Sequence, residues 1–534
     1  MKEFVQNLVE KYDFQSVRLL PLLRDIQTQY HFIPQDAIEH LADLLHIERT
    51  QIISVIEFYS FFHLQARGQY DILISDSITD HMLGKPALMA YFCEKLGIEI
   101  GEVRADGLVS IDNTSCSGMC DQGPAGLVNG YVLTNLNRPR IDAIVELVNQ
   151  QVPVNEWPAV FFSTTDNIYK RNILLESTIT PGDALRSAFA RGLKETLHEV
   201  DVSGLRGRGG AGFSTAMKWR FCSEEAETER YVVCNADEGE PGTFKDRVLL
   251  NSYAHQVFEG MTLCAAVIGA QQGFLYLRGE YLHLFEPLQQ ILQARREQAL
   301  LGNNILESGL DFDIEIRLGA GAYICGEESA LIESLEGKRG IPRNRPPYPV
   351  TQGYLQKPTV VNNVETFFVA AKIAVVGGQA FADLGTKKSK GTKLLSISGD
   401  CLRPGIYEYP FGTSVNEILH DCHADHAFGI QVGGPSGVFI ARDEFDRKLA
   451  FEDLATGGSF IILNEGRNVL ELVKNFTHFF AHESCGFCTP CRVGTALLQK
   501  QFDKIVDGHG SAGDVVALEE LCQQIGRASC RERV

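Results

Sequence analysis

Three cysteines stand three residues apart in Cys485-Gly-Phe-Cys488-Thr-Pro-Cys491, and thiols at that spacing converge readily on one soft-metal centre. The run suits an iron–sulfur cubane, in which each thiolate binds one iron corner and a more distant residue completes the set. A structural zinc site is the alternative, although zinc usually takes two separated pairs of ligands. A disulfide framework fits less well. The 14 cysteines occur in a chain whose start, Met1-Lys-Glu-Phe-Val-Gln-Asn-Leu-Val-Glu-Lys11, reads as an amphipathic helix rather than an export signal.

Four further stretches have the chemistry to hold a phosphate-bearing ligand. Gly204-Leu-Arg-Gly207-Arg208-Gly209-Gly210-Ala211-Gly212-Phe213 contains Gly-x-Gly-x-x-Gly and runs into an expected helix over Thr215 to Cys222, whose N-terminus would offer free N–H groups to an anion. The dinucleotide fingerprint follows a buried strand, however, and the residues from Leu197 to Ser203 make at best a short polar one, so a surface turn stays open as a reading. Tyr231-Val-Val-Cys-Asn235-Ala-Asp237-Glu238-Gly-Glu240 is a strand that delivers an amide and three acids at its end, where α/β sheets bind ligands. Gly319-Ala-Gly321-Ala-Tyr323-Ile-Cys-Gly326-Glu327-Glu328 leads into another helix, whose dipole the two acids would complement in any case. Val361-Asn362-Asn363-Val-Glu-Thr366 sets two amides at a helix start, which alone would be an N-cap.

The elements that must position these groups follow from length and periodicity. At 534 residues the chain exceeds one core, and about three or four domains are expected. From Leu19 to Phe62 apolar residues recur at helical spacing, broken at His31-Phe-Ile-Pro34, which predicts a small helical bundle. Tyr70 to Leu133 alternates strand and helix patterns, and a break follows at Gln151 to Trp157. Lys393-Leu-Leu-Ser-Ile-Ser-Gly, Gly405-Ile-Tyr-Glu-Tyr, a helix over Val415 to His420 and Gly429-Ile-Gln-Val-Gly suggest a β-grasp-like module, and helices follow from Asn468. Net charge is -19, from 49 basic and 68 acidic residues, which argues against nucleic acid as a partner and against anionic bilayers. The longest apolar window, Phe367 to Gly378, is interrupted by Lys372 and too short for a membrane span. Reduced thiols without an export signal predict a cytoplasmic protein.

Together and in this order, the glycine loop from Gly204, Asn235-Ala-Asp-Glu, Gly321-Ala-Tyr-Ile-Cys-Gly-Glu-Glu328, Asn362-Asn363 and Glu483-Ser-Cys-Gly-Phe-Cys-Thr-Pro-Cys491 resemble the NADH-binding flavin subunit of respiratory complex I and its soluble relatives. The resemblance runs from about Ser203 to the C-terminus. It implies an NAD-dependent oxidoreductase with FMN and NAD(H) stacked in one pocket and a [4Fe-4S] cluster nearby, turning the paired electrons of hydride into single ones without an acid or base residue. The backbone of Gly207, Arg208 and Gly209 and the side chains of Asn235, Asp237, Tyr323, Glu327, Asn362, Asn363 and Thr366 would hold FMN. Phe213, Lys218, Phe221, Glu240, Glu328 and Tyr348 would hold NAD(H), with Gly210, Ala211, Gly212, Glu238 and Gly326 completing the cofactor-binding set. By the same resemblance Glu238 and Glu240 would repel a 2′-phosphate. The cluster ligands would be Cys485, Cys488, Cys491 and Cys530, the last by its position and the glycine four residues before it, with Cys522 as the alternative. Arg531-Glu-Arg-Val534 departs from the small and apolar residues with which the family continues, as a truncated or frame-shifted reading would.

Residues 1 to about 150 resemble a second family, the thioredoxin-like [2Fe-2S] subunit that partners the flavin subunit in complex I. Cys116 and Cys120 keep its second cysteine pair, and the first pair falls on Ser75 and Asp80. Two thiolates do not make the usual four, so no [2Fe-2S] centre is expected and the domain becomes a docking surface. Such a fusion is similar to the diaphorase flavin subunits of soluble NAD-reducing [NiFe] hydrogenases, whose partners are an iron–sulfur diaphorase subunit and hydrogenase subunits. The flavin subunits of soluble NAD-dependent formate dehydrogenase and of complex I-type dehydrogenases are the alternatives, and the helical bundle ahead of the thioredoxin-like part favours hydrogenase. The expected fold is a multidomain α/β chain: a helical bundle over 1–68, a thioredoxin-like domain over 69–150, a Rossmann-like FMN/NAD(H) domain over 163–390, a β-grasp, ubiquitin-like module over 391–457 and a helical [4Fe-4S] domain over 458–534.

Overall fold

A computed structural model describes residues 1–526. The helical spacing at the start gives four helices, Lys2–Lys11, Leu19–Tyr30, Gln35–Leu45 and Arg49–Phe58. His31 takes left-handed backbone, φ 63°, which ends the second helix, and Pro34 caps the third. Their apolar faces, with Leu20, Leu23, Ile26, Ile38 and Leu41, share one core with Tyr231, Val233, Phe274 and Leu331 from the middle of the chain. The bundle is therefore a lid welded to the central domain rather than a body with its own closed core.

A four-stranded sheet follows, built from β1 (Tyr70–Ser75), β2 (Val109–Thr114), β3 (Gly126–Val128) and β4 (Tyr131–Leu133) in the order β2-β1-β3-β4. β1 runs parallel to β2 and antiparallel to β3, and Asn129 and Gly130, both at positive φ, make the two-residue turn between β3 and β4. The expected break at Gln151 to Trp157 is instead packed: Trp157 stacks on Tyr70 and donates its indole N–H to the carbonyl of Val152 at 2.8 Å.

The chain then lays down β5 (Ile168–Lys170) and the central sheet, β6 (Tyr231–Ala236), β7 (Gln272–Leu277), β8 (Gly302–Ile305), β9 (Leu310–Leu318) and β10 (Thr359–Asn363), in the order β10-β6-β7-β9-β8. All but β8 are parallel, with Asn363 beside Asn235, and Leu277 beside Leu318, so the candidate residues at the strand ends reach one carboxyl edge. Helices Ala254–Ile268 and Val364–Val376 cross on one face, and the apolar window from Phe367 is consumed by that core. Gly260 makes the crossing possible, since a Cβ there would lie 2.0 Å from the carbonyl oxygen of Phe367. Among the described residues no helix is long and apolar enough to cross a membrane.

The last sheet has the order β14-β13-β15-β11-β12-β5, from β11 (Thr392–Gly399), β12 (Gly405–Pro410), β13 (Ala427–Val432), β14 (Val438–Ala441) and β15 (Ser459–Asn464). β15 sits between β11 and β13, so this sheet runs past the expected end at 457, and β5 joins its edge from the segment expected to belong to the central domain. Helices Val469–His482, Thr489–Val506 and Ala512–Gly526 end the described chain.

Candidate functional site

The glycine loop does not follow a strand of any kind: helix Leu193–Val202 precedes it, so the dinucleotide fingerprint is present in letters and not in its usual setting. The loop closes on itself through Gly207 N–H to the carbonyl of Phe213 at 2.8 Å, and Gly212, at φ 65°, packs where a Cβ would meet the Phe451 ring at 2.7 Å. Gly209, Gly210 and Ala211 form its exposed lip, while the Arg208 N–H donates to Thr366 Oγ1 at 3.0 Å. The Arg208 guanidinium turns inward, donating to the carbonyls of Arg206 and Thr392, both at 3.1 Å, so only its backbone faces the lip. Ser214 caps the next helix, Thr215–Glu224, by accepting from Met217 N–H.

That helix carries Lys218 and Phe221. Lys218 Nζ pairs with Glu328 at 2.8 Å and donates to the carbonyl of Val361 at 3.0 Å, and Arg345 holds the other Glu328 oxygen at 3.1 Å. Large aromatic rings are normally buried, yet Phe213, Phe221 and Tyr348 are 48%, 43% and 54% exposed. They offer bare π faces beside this charged pair, and Tyr348 caps the short helix Pro349–Gln352 that packs on the helix bearing Phe221.

At the carboxyl edge, Asn235 donates to the carbonyl of Gly326 at 2.7 Å and accepts from Asp237 N–H at 3.0 Å. Asp237 Oδ2 is buried with no hydrogen-bond partner, and burial drives its carboxyl well above the usual carboxylate range. An orphaned buried acceptor of this kind fits a ligand N–H. Gly326 lies where a Cβ would come within 3.3 Å of the Asp237 carbonyl. Asn362 accepts from the Trp219 indole at 2.9 Å, and Asn363 caps helix Val364–Val376 while bonding Lys245 at 3.1 Å and Asp246 at 2.6 Å. Glu327 is the N-cap of helix Glu328–Leu335, accepting from Ser329 and Ala330 N–H, with Arg345 at 3.3 Å, while Glu328 alone stands in the first turn.

Glu238 points away from this edge. Its oxygens accept from Asp246 N–H at 2.8 Å, Arg247 N–H at 3.1 Å and the Tyr281 hydroxyl at 2.9 Å, fixing the start of helix Lys245–Ser252, and burial pushes its pKa up to about 7. It is thus placed to hold the turn and not to repel a ribose phosphate, and the alternation of a strand end explains why its neighbour Asp237 faces the opposite way. Glu240 remains at the edge, held by the Tyr323 hydroxyl and by Ser436 N–H and Oγ at 3.2 and 3.1 Å; burial raises its pKa against those bonds.

Two residues that sequence reasoning did not single out close the site. Arg278, just past β7, donates to the carbonyls of Glu238 and Cys116 and pairs with Glu280. Glu483 accepts from Ser115 Oγ and, at 3.0 Å, from Tyr323 N–H, while the Tyr323 ring meets Phe479 edge-on at 5.0 Å. Arg278 had a signal in its place after a strand, and Glu483 in its place two residues before the first cysteine.

The cysteine run bridges two helices. Gly486, at φ 75°, turns the chain, Cys488 caps helix Thr489–Val506, and Ser484 Oγ lies 3.4 Å from Cys491 Sγ. The Cys485 thiol is pushed up by burial and further by Cys491 and Cys488. Thiolates crowded at this spacing would repel one another and metal ligation relieves that, so the donor set fits an iron–sulfur cluster. Among the described residues no three His, Cys, Asp or Glu side chains are already closed into a cage. Cys530 lies outside the described residues, and Cys522 is exposed on helix Ala512–Gly526.

In the thioredoxin-like part, Ser75, Asp80, Cys116 and Cys120 come together. Ser75 Oγ donates to Asp80 Oδ2 at 2.5 Å, Asp80 Oδ1 accepts from Ala125 N–H at 2.9 Å, and the two sulfurs are 3.3 Å apart. The hydrogen bond from Cys120, and then Arg278, hold the Cys116 thiol down to about 6, and burial lifts Asp80 to about 8.

Comparison with known proteins agrees with this division. Family models described as the Nuo51 FMN-binding domain, the thioredoxin-like [2Fe-2S] ferredoxin and the NADH-ubiquinone oxidoreductase-F iron-sulfur binding region match residues 200–372, 5–149 and 471–531. The second match takes in the helical bundle, which therefore does not by itself favour hydrogenase over the alternatives. The alpha subunit of the NAD-reducing hydrogenase HoxS of Cupriavidus necator is 42% identical over 530 residues, covering 96% of this chain and 88% of that one. A subunit of the NADH-quinone oxidoreductase of Escherichia coli is 42% identical over 344 residues, 62% of this chain and 77% of that one. A crystal structure of an air-oxidised NAD+-reducing [NiFe]-hydrogenase superimposes with a TM-score of 0.88 at 43% identity, covering 94% of this chain and 87% of that one. End-to-end identity at this level, together with one fold and three matched regions in order, places the chain in the family of NAD-reducing hydrogenase alpha subunits, within the wider family of complex I NADH-binding subunits.

Proposed function

We propose that this chain is the diaphorase flavin subunit of an NAD-reducing hydrogenase, exchanging hydride with NAD(H) and single electrons with a [4Fe-4S] cluster, for the overall conversion of H2 and NAD+ to NADH and a proton. The observation that carries the reading is the carboxyl edge: Asn235, Asp237, Tyr323, Asn362 and Asn363 meet there, and Glu483 ties that edge to the cysteine run. Bound FMN would supply the step between two-electron and one-electron chemistry. Asp237 Oδ2 would offer it an acceptor, Thr366 and the Gly207–Gly209 stretch would lie at its phosphate end, and the Tyr323 loop would help to exclude water. Phe213, Phe221 and Tyr348 present faces on which an adenine stacks, with Lys218 and Glu328 at its edge for ribose or phosphate oxygens.

Cys485, Cys488, Cys491 and Cys530 are the proposed ligands of the cubane. The Ser75, Asp80, Cys116 and Cys120 group is read as carrying no [2Fe-2S] cluster, since oxygen donors replace half the thiolates. The reading also takes the bundle, the thioredoxin-like sheet, the Rossmann-like centre, the β-grasp sheet and the cysteine-bearing helices as the working units of the chain. It implies a cytoplasmic hetero-oligomer with an iron–sulfur diaphorase subunit and hydrogenase subunits. Co-purified with those subunits, the yellow protein should lose flavin absorbance on adding NADH and should reduce NAD+ under H2. A colourless preparation that NADH does not alter would overturn the flavin assignment, and NADH-responsive protein inert to H2 would overturn the hydrogenase assignment.

A further inference from the structure

The turn from Cys116 to Cys120 carries two thiols whose sulfurs lie 3.3 Å apart, both nearly inaccessible at 1% and 4% exposure. Nothing else in the proposed mechanism uses them. The oxygens that stand where a second pair of thiols would complete a cluster are spent on one another, Ser75 Oγ on Asp80 Oδ2 at 2.5 Å and Asp80 Oδ1 on Ala125 N–H at 2.9 Å. Cys116 Sγ also accepts from Gly118 N–H at 3.4 Å, a contact that stabilises thiolate, the nucleophilic form. We infer that Cys116 and Cys120 form a reversible dithiol–disulfide pair, a covalent modification site addressed by small peroxides.

The chemistry balances without help from the rest of the protein. One sulfur, as thiolate, attacks the peroxide; the O–O bond breaks, one oxygen stays on sulfur as sulfenic acid and the other leaves as an alcohol, or as water from hydrogen peroxide. The second thiol displaces that hydroxyl as water. Two electrons pass from the sulfurs to the peroxide, and the S–S bond replaces two S–H bonds. A small thiol reverses it. The burial favours a small oxidant over a protein thiol, and the neighbouring sulfur traps the sulfenic acid before it can be oxidised further.

The turn is also positioned to report its state. Arg278 donates to the carbonyl of Cys116 at 2.6 Å and also to the carbonyl of Glu238, and Arg247 contacts Met119 at 2.6 Å. Forming the bond draws the sulfurs together by roughly 1.3 Å, to the usual disulfide length near 2.05 Å. The arginine that braces the Asp237–Glu238 strand end is therefore tied to the moving turn. The inference requires only that no cluster claims these thiols and is independent of the flavin assignment.

The test uses the full chain, purified anaerobically, treated with hydrogen peroxide, acid-quenched, alkylated under denaturing conditions and digested. The peptide spanning Cys116 to Cys120 should then be recovered unalkylated and lighter by two hydrogen atoms, and alkylated at both sulfurs if a small thiol is added before the quench. Cys93, on helix Lys85–Leu96, should stay alkylated at the same dose, and Cys120→Ser should abolish the cross-linked species. Because the wild-type masses carry the result, misfolding of the variant would not remove the test. Full alkylation of Cys116 and Cys120 at doses that oxidise Cys93 would overturn the inference. So would iron that persists in Cys488→Ser and disappears when Cys116→Ser is added, since it would assign the pair to a cluster.

Discussion

Glu483 is the carboxylate through which three parts of the chain meet: one oxygen accepts from Ser115 Oγ, the other from Tyr323 N–H at 3.0 Å, and the first cysteine of the run follows two residues later. Replacing it with alanine removes both bonds. A hydrogen bond to a charged acceptor contributes about 1.5–3 kcal/mol, and because Glu483 is only half-buried the lower end applies to each bond. At about 1.4 kcal/mol per tenfold, opening of the Tyr323 amide should become roughly tenfold more frequent in Glu483→Ala. Glutamine can still turn its oxygen to Tyr323 N–H and its amide to Ser115, whose hydroxyl can rotate to accept, so only the charge assistance is lost. That is about 1 kcal/mol, or roughly fivefold at most. Hydrogen exchange read on the peptide containing Tyr323 measures this directly. In the same samples NADH should still bleach the flavin in Glu483→Ala, since Asn235, Asp237 and Asn363 stay in place, while reduction of the cluster slows because the tie to the cysteine run is lost. Equal Tyr323 protection in wild type and Glu483→Ala, or a Glu483→Gln variant as damaged as alanine, would refute the reasoning.

Asp80, lifted by burial to about 8, stabilises the fold while protonated, so its contribution is complete below the ordinary aspartate range and disappears as pH rises through about 8. Asp80→Asn should flatten the fall in Tm between about pH 4 and pH 8, measured by calorimetry beside the wild type; parallel curves would remove the assignment. Gly118, at φ 74°, packs so that a Cβ would lie 2.3 Å from the Tyr281 hydroxyl, and Gly118→Ala should cost about 1–3 kcal/mol in urea unfolding from overpacking alone, with the left-handed backbone adding to it. Cys488→Ser should lower iron content by the whole of one cluster in metal analysis while flavin content stays constant; unchanged iron would exclude Cys488 as a ligand.

The strand ends were legible because a strand that finishes in amides and acids signals its own carboxyl edge, and the register of Asn363 against Asn235 places two distant motifs side by side. The helix start at Asn363 was legible for the same local reason, since its side chain caps an N–H two residues on, and Ser214 and Glu327 cap their helices in the same way. What could not be read was anything fixed by long separation. The bond from Ser115 to Glu483 spans 368 residues, and no periodicity announces it. Glu238 looked like one more acid beside Asp237 and Glu240, yet the turn into helix Lys245–Ser252 claims its oxygens. The glycine loop showed the right spacing after what proved to be a helix, and β15 continued a sheet that composition alone had closed too early.

The charges beneath the glycine loop explain why that loop can dispense with its usual strand. Arg208, Lys245 and Lys393 lie against Asp246 and Glu365, every one at most 2% exposed. Lys245 meets Glu365 at 3.1 Å and Asp246 at 2.6 Å, and Lys393 also reaches Glu365. Burial pushes Lys393 down to about 7 and Arg208 to about 10, whereas Glu365 stays below the usual range despite its burial because Lys393 and Lys245 face it. Buried ions are a poor source of stability, since desolvation offsets most of their attraction, but removing one member strands its partners at a cost of about 3–5 kcal/mol. The set therefore acts as a geometric lock. Arg208 lies 3.9 Å from Glu365 while its backbone N–H is held by Thr366, and Lys245, paired with Glu365, also holds Asn363 at 3.1 Å. With Lys393 held down to about 7, Arg208 and Lys245 face Asp246 and Glu365 as two cations against two anions, and the cluster beneath the lip is close to balanced. A dinucleotide loop on a strand borrows rigidity from a sheet; here a buried ionic cluster supplies it.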